Sequence, residues 1–533
     1  MMMRKKWLVL AVAAACSAPA LAADDGRARI DELHETTLNL IELLVEQKVL
    51  TREAADAMLT KARAQAAEKT AQAAAAEAAT AQADNAKDVV RVVYVPETVK
   101  REIREQVRQE VVAQAKLERW GDVNAVPEWL DRLKWEGDIR LRYQGDFLSP
   151  GTIIQGGIPR KINEADFAAF GQNVDSVEDR HRERVRLRLG LNANVSGGVD
   201  VGVRITTGNT SDPVSTNQTL GNTGGKYSVV LDRAFLKLTP IDDLTLWGGR
   251  LPNPFFSTDL VWDDDLNFEG AAASYAPGAL DPQRILKPFV TAGVFPLQEI
   301  EENASTRVDD KWLFGAQAGV EWAPSTRMRF RLGAAYYQYE NVTGIANPTI
   351  NDTFNNASAP QFRQKGNTLF DIDQNATSEL WALASEFRIG NVTLVADFAD
   401  FYPIHVIGTF DWAHNFGFDE NEVRARATAY NSLDLGADGY QAKLTVGHPK
   451  FTYLEDHEWQ AYIGYRYVES DAVLDAFTDS DFHLGGTGHK GFMIGGSYAL
   501  FKNTWLTARW TSSDDLNDLL AIDVFQLDLN AKF

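Results

Sequence analysis

The chain has 533 residues and carries 74 Asp and Glu against 53 Lys and Arg, a formal net charge of −21. A surplus of that sign argues against nucleic acid as a partner. The single cysteine, Cys16, lies in the N-terminal segment, so a chain cleaved beyond it has no disulfide, no cysteine-bound metal and no cysteine nucleophile.

Arg4, Lys5 and Lys6 precede an apolar run from Trp7 to Ala15, and Ala20-Leu21-Ala22 forms a small-residue cleavage site. This pattern predicts a secretory signal peptide over residues 1–22, its apolar core well short of the ~20 residues a spanning helix needs. Residues 23–119 read as a periplasmic helical region. Ile30, Leu33, Thr37, Leu40 and Leu44 recur at the spacing of a coiled-coil seam, and Thr51 is placed to cap a second helix. Residues 62–86 are alanine-rich with no large apolar side chain, so they form a linker and not a core. Pro96 opens a further helix with a narrow stripe of Val99, Ile103, Val107 and Val111. Narrow stripes favour a self-associating coiled coil over a helix lying on a surface.

From residue 129 to 533 the period becomes two. Ile139, Leu141 and Tyr143 alternate with Asp138, Arg140 and Arg142. Val185, Leu187 and Leu189 alternate with Arg184, Arg186 and Arg188. Short links, such as Ser196-Gly197-Gly198, Pro240 to Asp243, Gly390-Asn391 and Phe501 to Asn503, alternate with long polar ones such as 144–181, 340–378, 402–437 and 469–489. A sandwich does not require that alternation. A transmembrane barrel with tight turns on one side and long loops on the other does. The expected fold is all-β: an antiparallel outer-membrane β-barrel of about sixteen strands, at residues 129–533, behind an N-terminal periplasmic helical, coiled-coil extension. The predicted strands include 379–389 and 392–401. Trp135, Tyr143, Trp312, Trp322, Trp381, Tyr467, Trp505 and Trp510 are expected to form aromatic girdles near strand ends. The last strand alternates Phe525, Leu527, Leu529 and Ala531 with polar residues and stops on Phe533, which resembles the signal read by barrel-assembly machinery.

A polar inner face in a barrel of this size encloses water. Arg140, Arg142, Arg184, Arg186, Arg188, Arg204, Arg329, Arg331 and Arg466 fall opposite the apolar faces and are expected to line the pore. An arginine facing lipid at mid-membrane would cost roughly 2–4 kcal/mol. Arg233, also assigned to the lining, and Lys237 are ambiguous by parity, because Leu231 and Phe235 share their face. The third long-side link, 252–266, carries Asp259 and then Asp263-Asp264-Asp265. Folded inward, it would set acids against the arginine wall as a constriction and create a transverse field. Left outside, it would be a solvated loop.

Three stretches resemble the "putative porin" family of proteobacterial outer-membrane proteins. They are Glu42-Leu43-Leu44 with Val49-Leu50-Thr51-Arg52-Glu53-Ala54; Pro127-Glu128-Trp129-Leu130 leading into Gly137-Asp138-Ile139-Arg140-Leu141-Arg142-Tyr143; and Gly249-Arg250-Leu251-Pro252-Asn253-Pro254-Phe255-Phe256 through Asn267-Phe268-Glu269-Gly270. The resemblance implies a general-porin-like pore in the cell outer membrane, homotrimers, and passive diffusion of small hydrophilic solutes and ions. Expected partners are outer-membrane lipid and lipopolysaccharide, the barrel-assembly machinery and peptidoglycan. A periplasmic tether is the alternative, and a lipid hydrolase a remoter one. No enzyme, cofactor or metal site is expected. Ser497 in Gly495-Gly496-Ser497 lacks the strand-to-helix turn of a nucleophile elbow. Gly485 to Gly491 misses the phosphate-loop spacing, and His483 and His489 have no evident third ligand.

Overall fold

The computed structural model describes residues 130–533, apart from 282, 304, 374–377, 450–454 and 456. The chain divides into two compact units, Met1–Gly121 and Asp122–Phe533, and the described residues belong to the second. The expected signal peptide, helical region and linker lie outside them.

Sixteen long strands build the wall. They are β1 (Leu133–Pro150), β2 (Arg180–Ser196), β3 (Val199–Thr207), β4 (Val229–Ile241), β5 (Leu244–Pro252), β6 (Asn267–Tyr275), β7 (Leu286–Gln298) and β8 (Lys311–Ser325). There follow β9 (Met328–Glu340), β10 (Arg388–Phe401), β11 (Ile404–Asn415), β12 (Asp438–Gly447), β13 (Trp459–Val468), β14 (His489–Phe501), β15 (Thr504–Asp515) and β16 (Leu520–Lys532). Each pairs antiparallel with its chain neighbour, and β16 returns to β1 from Asp138↔Lys532 to Pro150↔Leu520. The ring therefore has no free edge, which removes the row of unpaired backbone groups an open sheet would present to lipid.

Two-residue turns such as Gly197-Gly198, Asp242-Asp243 and Lys502-Asn503 close one end. Gly198, Asp243 and Asn503 take positive φ there, at +80°, +66° and +57°. Glycine, aspartate and asparagine are the residues that tolerate this backbone. At the other end, loops L1 (151–179), L2 (208–228), L3 (253–266), L4 (299–310), L5 (341–387), L6 (416–437) and L7 (469–488) are long, and only L8 (516–519) is short.

Side-chain parity follows the sequence pattern. Trp135, Leu141, Leu187, Phe314, Leu332, Ile463, Ile494 and Leu527 are exposed on the outer face, while Arg142, Gln144, Gln441, Arg466 and Gln526 are buried inside. A continuous apolar outer band on this scale has no place in water. It fits a wall wetted by hydrocarbon. No helix among the described residues is long and apolar enough to cross a membrane; the crossing is made by strands.

Five details differ from the sequence expectation or resolve it. Gly390-Asn391 is not a turn. It lies inside β10, where Gly390 faces Tyr336 and His414, and the turn falls at Tyr402-Pro403. β11, read as loop, replaces the strand expected at 379–389, so the count stays at sixteen. Its apolar members are interrupted by His405, Asp411 and His414, and Asp411 is buried under hydrogen bonds from Asn391 and Thr258. Trp381 belongs to a small hairpin in L5, not to a girdle, and its ring covers Gly171. Trp505 shares the inner face of Thr507 and Arg509, opposite the outward Trp510. Finally, the parity ambiguity at Arg233 comes from a bulge. Arg204 faces Arg233 but Ile205 faces Leu231, leaving Asp232 extra. Leu231 is thus exposed on the outside while Asp232 is buried and Arg233 bonds to Asn267.

Candidate functional site

Period two stacks the arginines of β1 and β2 in cross-strand register. Arg140 faces Arg186, and Arg142 faces Arg184. Like charges directly opposite destabilise a sheet, so this wall needs acids. Asp138 supplies one from within it, at 2.9 Å from Arg186 and 2.7 Å from Arg188. Asp528 of β16 holds Arg142 through both carboxylate oxygens, at 2.7 and 2.8 Å. Arg140 donates to Asn217 of L2 at 2.5 Å, and Arg184 to Gln144 at 3.2 Å.

The remaining acids come from loops. L3 turns into the barrel at Asn253, whose side chain accepts from the Phe255 amide at 2.9 Å. The Phe255 ring sits 5.1 Å from Tyr337 of β9, and the Phe256 backbone exchanges two hydrogen bonds with Gln317 of β8. Thr258 then donates to Asp411 of β11, and Asp259 meets Gln441 of β12 at 2.8 Å and Arg466 of β13 at 2.9 Å. The loop returns to the opposite wall, where Asp265 lies 3.1 Å from Arg188 and 3.6 Å from Arg186 and accepts from Thr216. L3 therefore crosses the barrel interior. Trp262, Phe268, Phe295 and Tyr337 pack around it as an apolar core.

L7 also reaches inward. Asp481 is 2.9 Å from Arg142 and pairs with Arg509 of β15; Asp479 is 3.1 Å from Arg466. The L3 and L7 backbones are tied by the Asp263 amide donating to the Phe477 carbonyl at 2.8 Å, and by the Ser480 amide donating to Asp263 at 2.9 Å. Between these loops and the wall lies a cavity of about 260 Å³, lined among others by Arg140, Arg142, Asp264, Asp481, Arg509 and Asp528. A second space of about 320 Å³ continues toward the long-loop end past Arg182, Arg184 and Asp212. Ser480 borders both, and its hydroxyl donates to the Val214 carbonyl of L2 at 3.0 Å.

The three consecutive aspartates are electrostatically unequal. Burial would raise Asp265, but Arg186 and Arg188 outweigh it and hold its carboxyl below the usual range. Burial, reinforced by Asp479 and Asp265, lifts Asp263 well above that range. Asp264 touches the water of the cavity yet is surrounded by protein; burial, then Asp259 and Asp265, raise it to about 6.

Apart from Arg466, held on β13 by Asp259 and Asp479, the arginines singled out by sequence fall into three places. Arg140, Arg142, Arg184, Arg186 and Arg188 share the β1–β2 wall. Arg204, paired with Asp232, and Arg233 lie near the root of L3. Arg329, 3.0 Å from Asp397, and Arg331, whose guanidinium is 4.2 Å from the Phe256 ring, sit on β9, away from the wall. Sequence reading missed Arg509, Asp479 and Asp481. Arg509 was legible from the alternation of Thr507, Arg509 and Thr511 with Ala508 and Trp510; the two aspartates had no local signal. Phe533 extends the closing ladder, its N–H and C=O each bonding Gly137 at 2.9 Å. His483 bonds Ser513 and stacks on His489, and no cluster of three metal-ligating side chains occurs among the described residues.

A family profile described as "Putative porin" matches residues 34–533. Among solved structures, a loop L8 deletion mutant of OmpT from Vibrio cholerae is 10% identical and aligns over 76% of this chain and 100% of that one, with a TM-score of 0.39. The outer membrane channel DcaP of Acinetobacter baumannii is 13% identical over 75% of this chain and 97% of that one, at 0.38. An anion-selective porin from Comamonas acidovorans is 11% identical over 75% and 99%, at 0.36. No curated protein matches the chain. A closed ring of sixteen strands, a loop laid across its interior and a family match spanning almost the whole sequence together assign the chain to the putative porin family, as a channel of the outer membrane.

Proposed function

We propose that the channel passes small hydrophilic solutes and ions by passive diffusion, between the acids of L3 and L7 and the arginines of β1, β2 and β15, without catalysis. The observation that carries this reading is the path of L3, from Gln317 on one side of the ring to Arg188 on the other. In this reading Asp259, Asp263, Asp264 and Asp265 form the constriction. Arg140, Arg142, Arg184, Arg186 and Arg188 form the opposing wall, Arg204 and Arg233 flank the root of L3, and Arg329 and Arg331 line the short-turn vestibule. Seven carboxylates and four guanidinium groups border the 260 Å³ cavity. That surplus favours cations weakly, because burial and acidic neighbours push Asp263 toward its neutral form and several of the other acids are already paired. Fixed opposite charges across a narrow passage orient water and favour polar over apolar solutes.

We further infer homotrimers, with residues 23–119 as a periplasmic assembly or tethering region and Phe533 as the assembly signal. Planar-bilayer recordings with reversal potentials in a KCl gradient test the channel reading. A modest cation preference supports it; the absence of conductance from correctly folded protein overturns it. Deleting residues 24–119 and measuring the oligomer by cross-linking tests the role of the N-terminal region.

A further inference from the structure

Alternation along β2 puts Arg180, Arg182, Arg184, Arg186 and Arg188 on one face. Arg186 and Arg188 are held by Asp138 and Asp265, and Arg182 lies 2.6 Å from Asp146. Arg184 is different. Its one hydrogen bond among the described residues runs to the neutral amide oxygen of Gln144, at 3.2 Å, and its buried Nε has no partner. A half-buried guanidinium without an anion gives up hydration for little in return.

The opposite case stands on L2. Two successive side-chain turns fold this loop: Asn209 accepts from the Ser211 and Asp212 amides at 2.9 and 2.8 Å, and Asp212 accepts from the Val214 amide at 3.0 Å. Val214 is buried in the core around L3, which fixes the turn. Asp212 is half-buried and forms no ion pair among the described residues. Burial lifts its carboxyl above the usual range, against the Val214 amide and the field of Arg184. The two charges therefore sense each other without meeting.

Both border the space of about 320 Å³ at the long-loop end, within the ~300–1,000 Å³ range of small-ligand sites. The other charges on it are engaged or exposed. Arg182 and Asp146 pair with each other, Lys365 donates to the His483 and Gly485 carbonyls, and Arg180, Asp175 and Glu178 face solvent. Arg140, which also lacks a carboxylate, donates to Asn217 and borders the 260 Å³ cavity instead.

We propose that this space binds a small zwitterion of the α-amino-acid type, its carboxylate on Arg184 and its ammonium on Asp212. One such molecule supplies both missing counter-charges, and two charge-assisted hydrogen bonds of ~2.8 Å with the solute between them bridge the separation that the side chains leave open. A plain anion would satisfy Arg184 but meet Asp212 with like charge, and a plain cation would do the reverse. The inference deepens the diffusion reading and rests on it, because Ser480 borders both this space and the cavity beside L3, so a solute held here stands on the route inward.

The test uses the full chain in vesicles at pH 7 in dilute KCl, with protein-free vesicles as the blank, and reads binding by equilibrium dialysis. Three probes share one body: L-glutamine; glutaramate, which lacks the ammonium; and 4-aminobutanamide, which lacks the carboxylate. Wild type binds L-glutamine saturably, one molecule per chain, and at least tenfold more tightly than either analogue. Arg184→Gln abolishes the advantage over 4-aminobutanamide, and Asp212→Asn abolishes the advantage over glutaramate, whereas a merely structural part for either side chain would weaken all three probes alike. The proposal is overturned if the three probes bind alike in wild type, or if either variant keeps the wild-type ratios. KCl conductance measured in parallel separates it from the channel reading: conductance without zwitterion preference overturns the site alone, and zwitterion preference in folded protein that conducts no KCl supports the site and overturns the diffusion reading. Should one variant lack the heat-modifiable gel shift of a folded barrel, the other variant and the wild-type comparison decide.

Discussion

Asp264→Asn is the most informative single change, because the three adjacent aspartates of L3 differ in what they contribute. Asp265 is compensated by Arg186 and Arg188, and burial with its acidic neighbours lifts the Asp263 carboxyl well above the usual carboxylate range, favouring its neutral form. Asp264, at about 6, is ionised at pH 7.5 and borders the cavity. A unit charge ~8 Å from a permeant ion in water is worth about 0.5 kcal/mol. The sign is opposite for K⁺ and Cl⁻, so removing it moves the permeability ratio by about 1 kcal/mol, roughly fivefold. Screening over a Debye length of about 10 Å at 0.1 M salt reduces this to about twofold. Asp264→Asn should therefore lower the K⁺-to-Cl⁻ ratio by about two- to fivefold in reversal-potential measurements at pH 7.5. Asp263→Asn should lower it less, because its carboxyl is pushed toward the neutral form. Equal effects from the two substitutions would refute the electrostatic inequality on which the argument rests.

The same carboxyl gives wild type a pH dependence. As pH falls from 7.5 to 5, Asp264 takes up a proton around 6, negative charge leaves the passage, and cation preference drops; the Asp264→Asn channel should depend on pH less than wild type over that range. Phe255→Ala removes a ring packed on Phe268, Phe295 and Tyr337, a loss of ~3–5 kcal/mol for a core aromatic, and should release L3, seen as larger and noisier single-channel conductance. Leu332→Arg on the outer face should cost roughly 2–4 kcal/mol in reversible denaturant unfolding from vesicles if that face meets mid-membrane hydrocarbon. Phe533→Ala should reduce the amount of barrel recovered from the outer membrane severalfold, while the refolded protein keeps its heat-modifiable gel shift, because the Gly137 bonds are made by backbone.

The wall was readable because its chemistry is local. Each residue of β2 must face either hydrocarbon or the interior, so Arg184, Arg186 and Arg188 and their apolar alternates reveal both faces within a few positions. Readability failed wherever a strand met something other than lipid or water. β11 carries Asp411 because Thr258 of L3 reaches it across the interior, and that partner is 153 positions away in sequence. β4 broke parity because a bulge at Asp232 turns two successive residues inward. Gly249 and Gly270 pair across the β5–β6 hairpin but are separated by the whole of L3, so that pairing has no local trace. The site itself is assembled from these long-range events. L3 announced its acids, but not that Asp265 would end on Arg188, nor that L7 would bring Asp479 and Asp481 to Arg466, Arg142 and Arg509. A charged loop costs little in solvent and gives no sign of its destination. What directs it is the unpaired excess of arginine on the wall, Arg140 against Arg186 and Arg142 against Arg184, which no stable barrel could leave uncompensated. That excess was visible in the sequence, and it demanded acids from elsewhere in the chain before any loop could be traced.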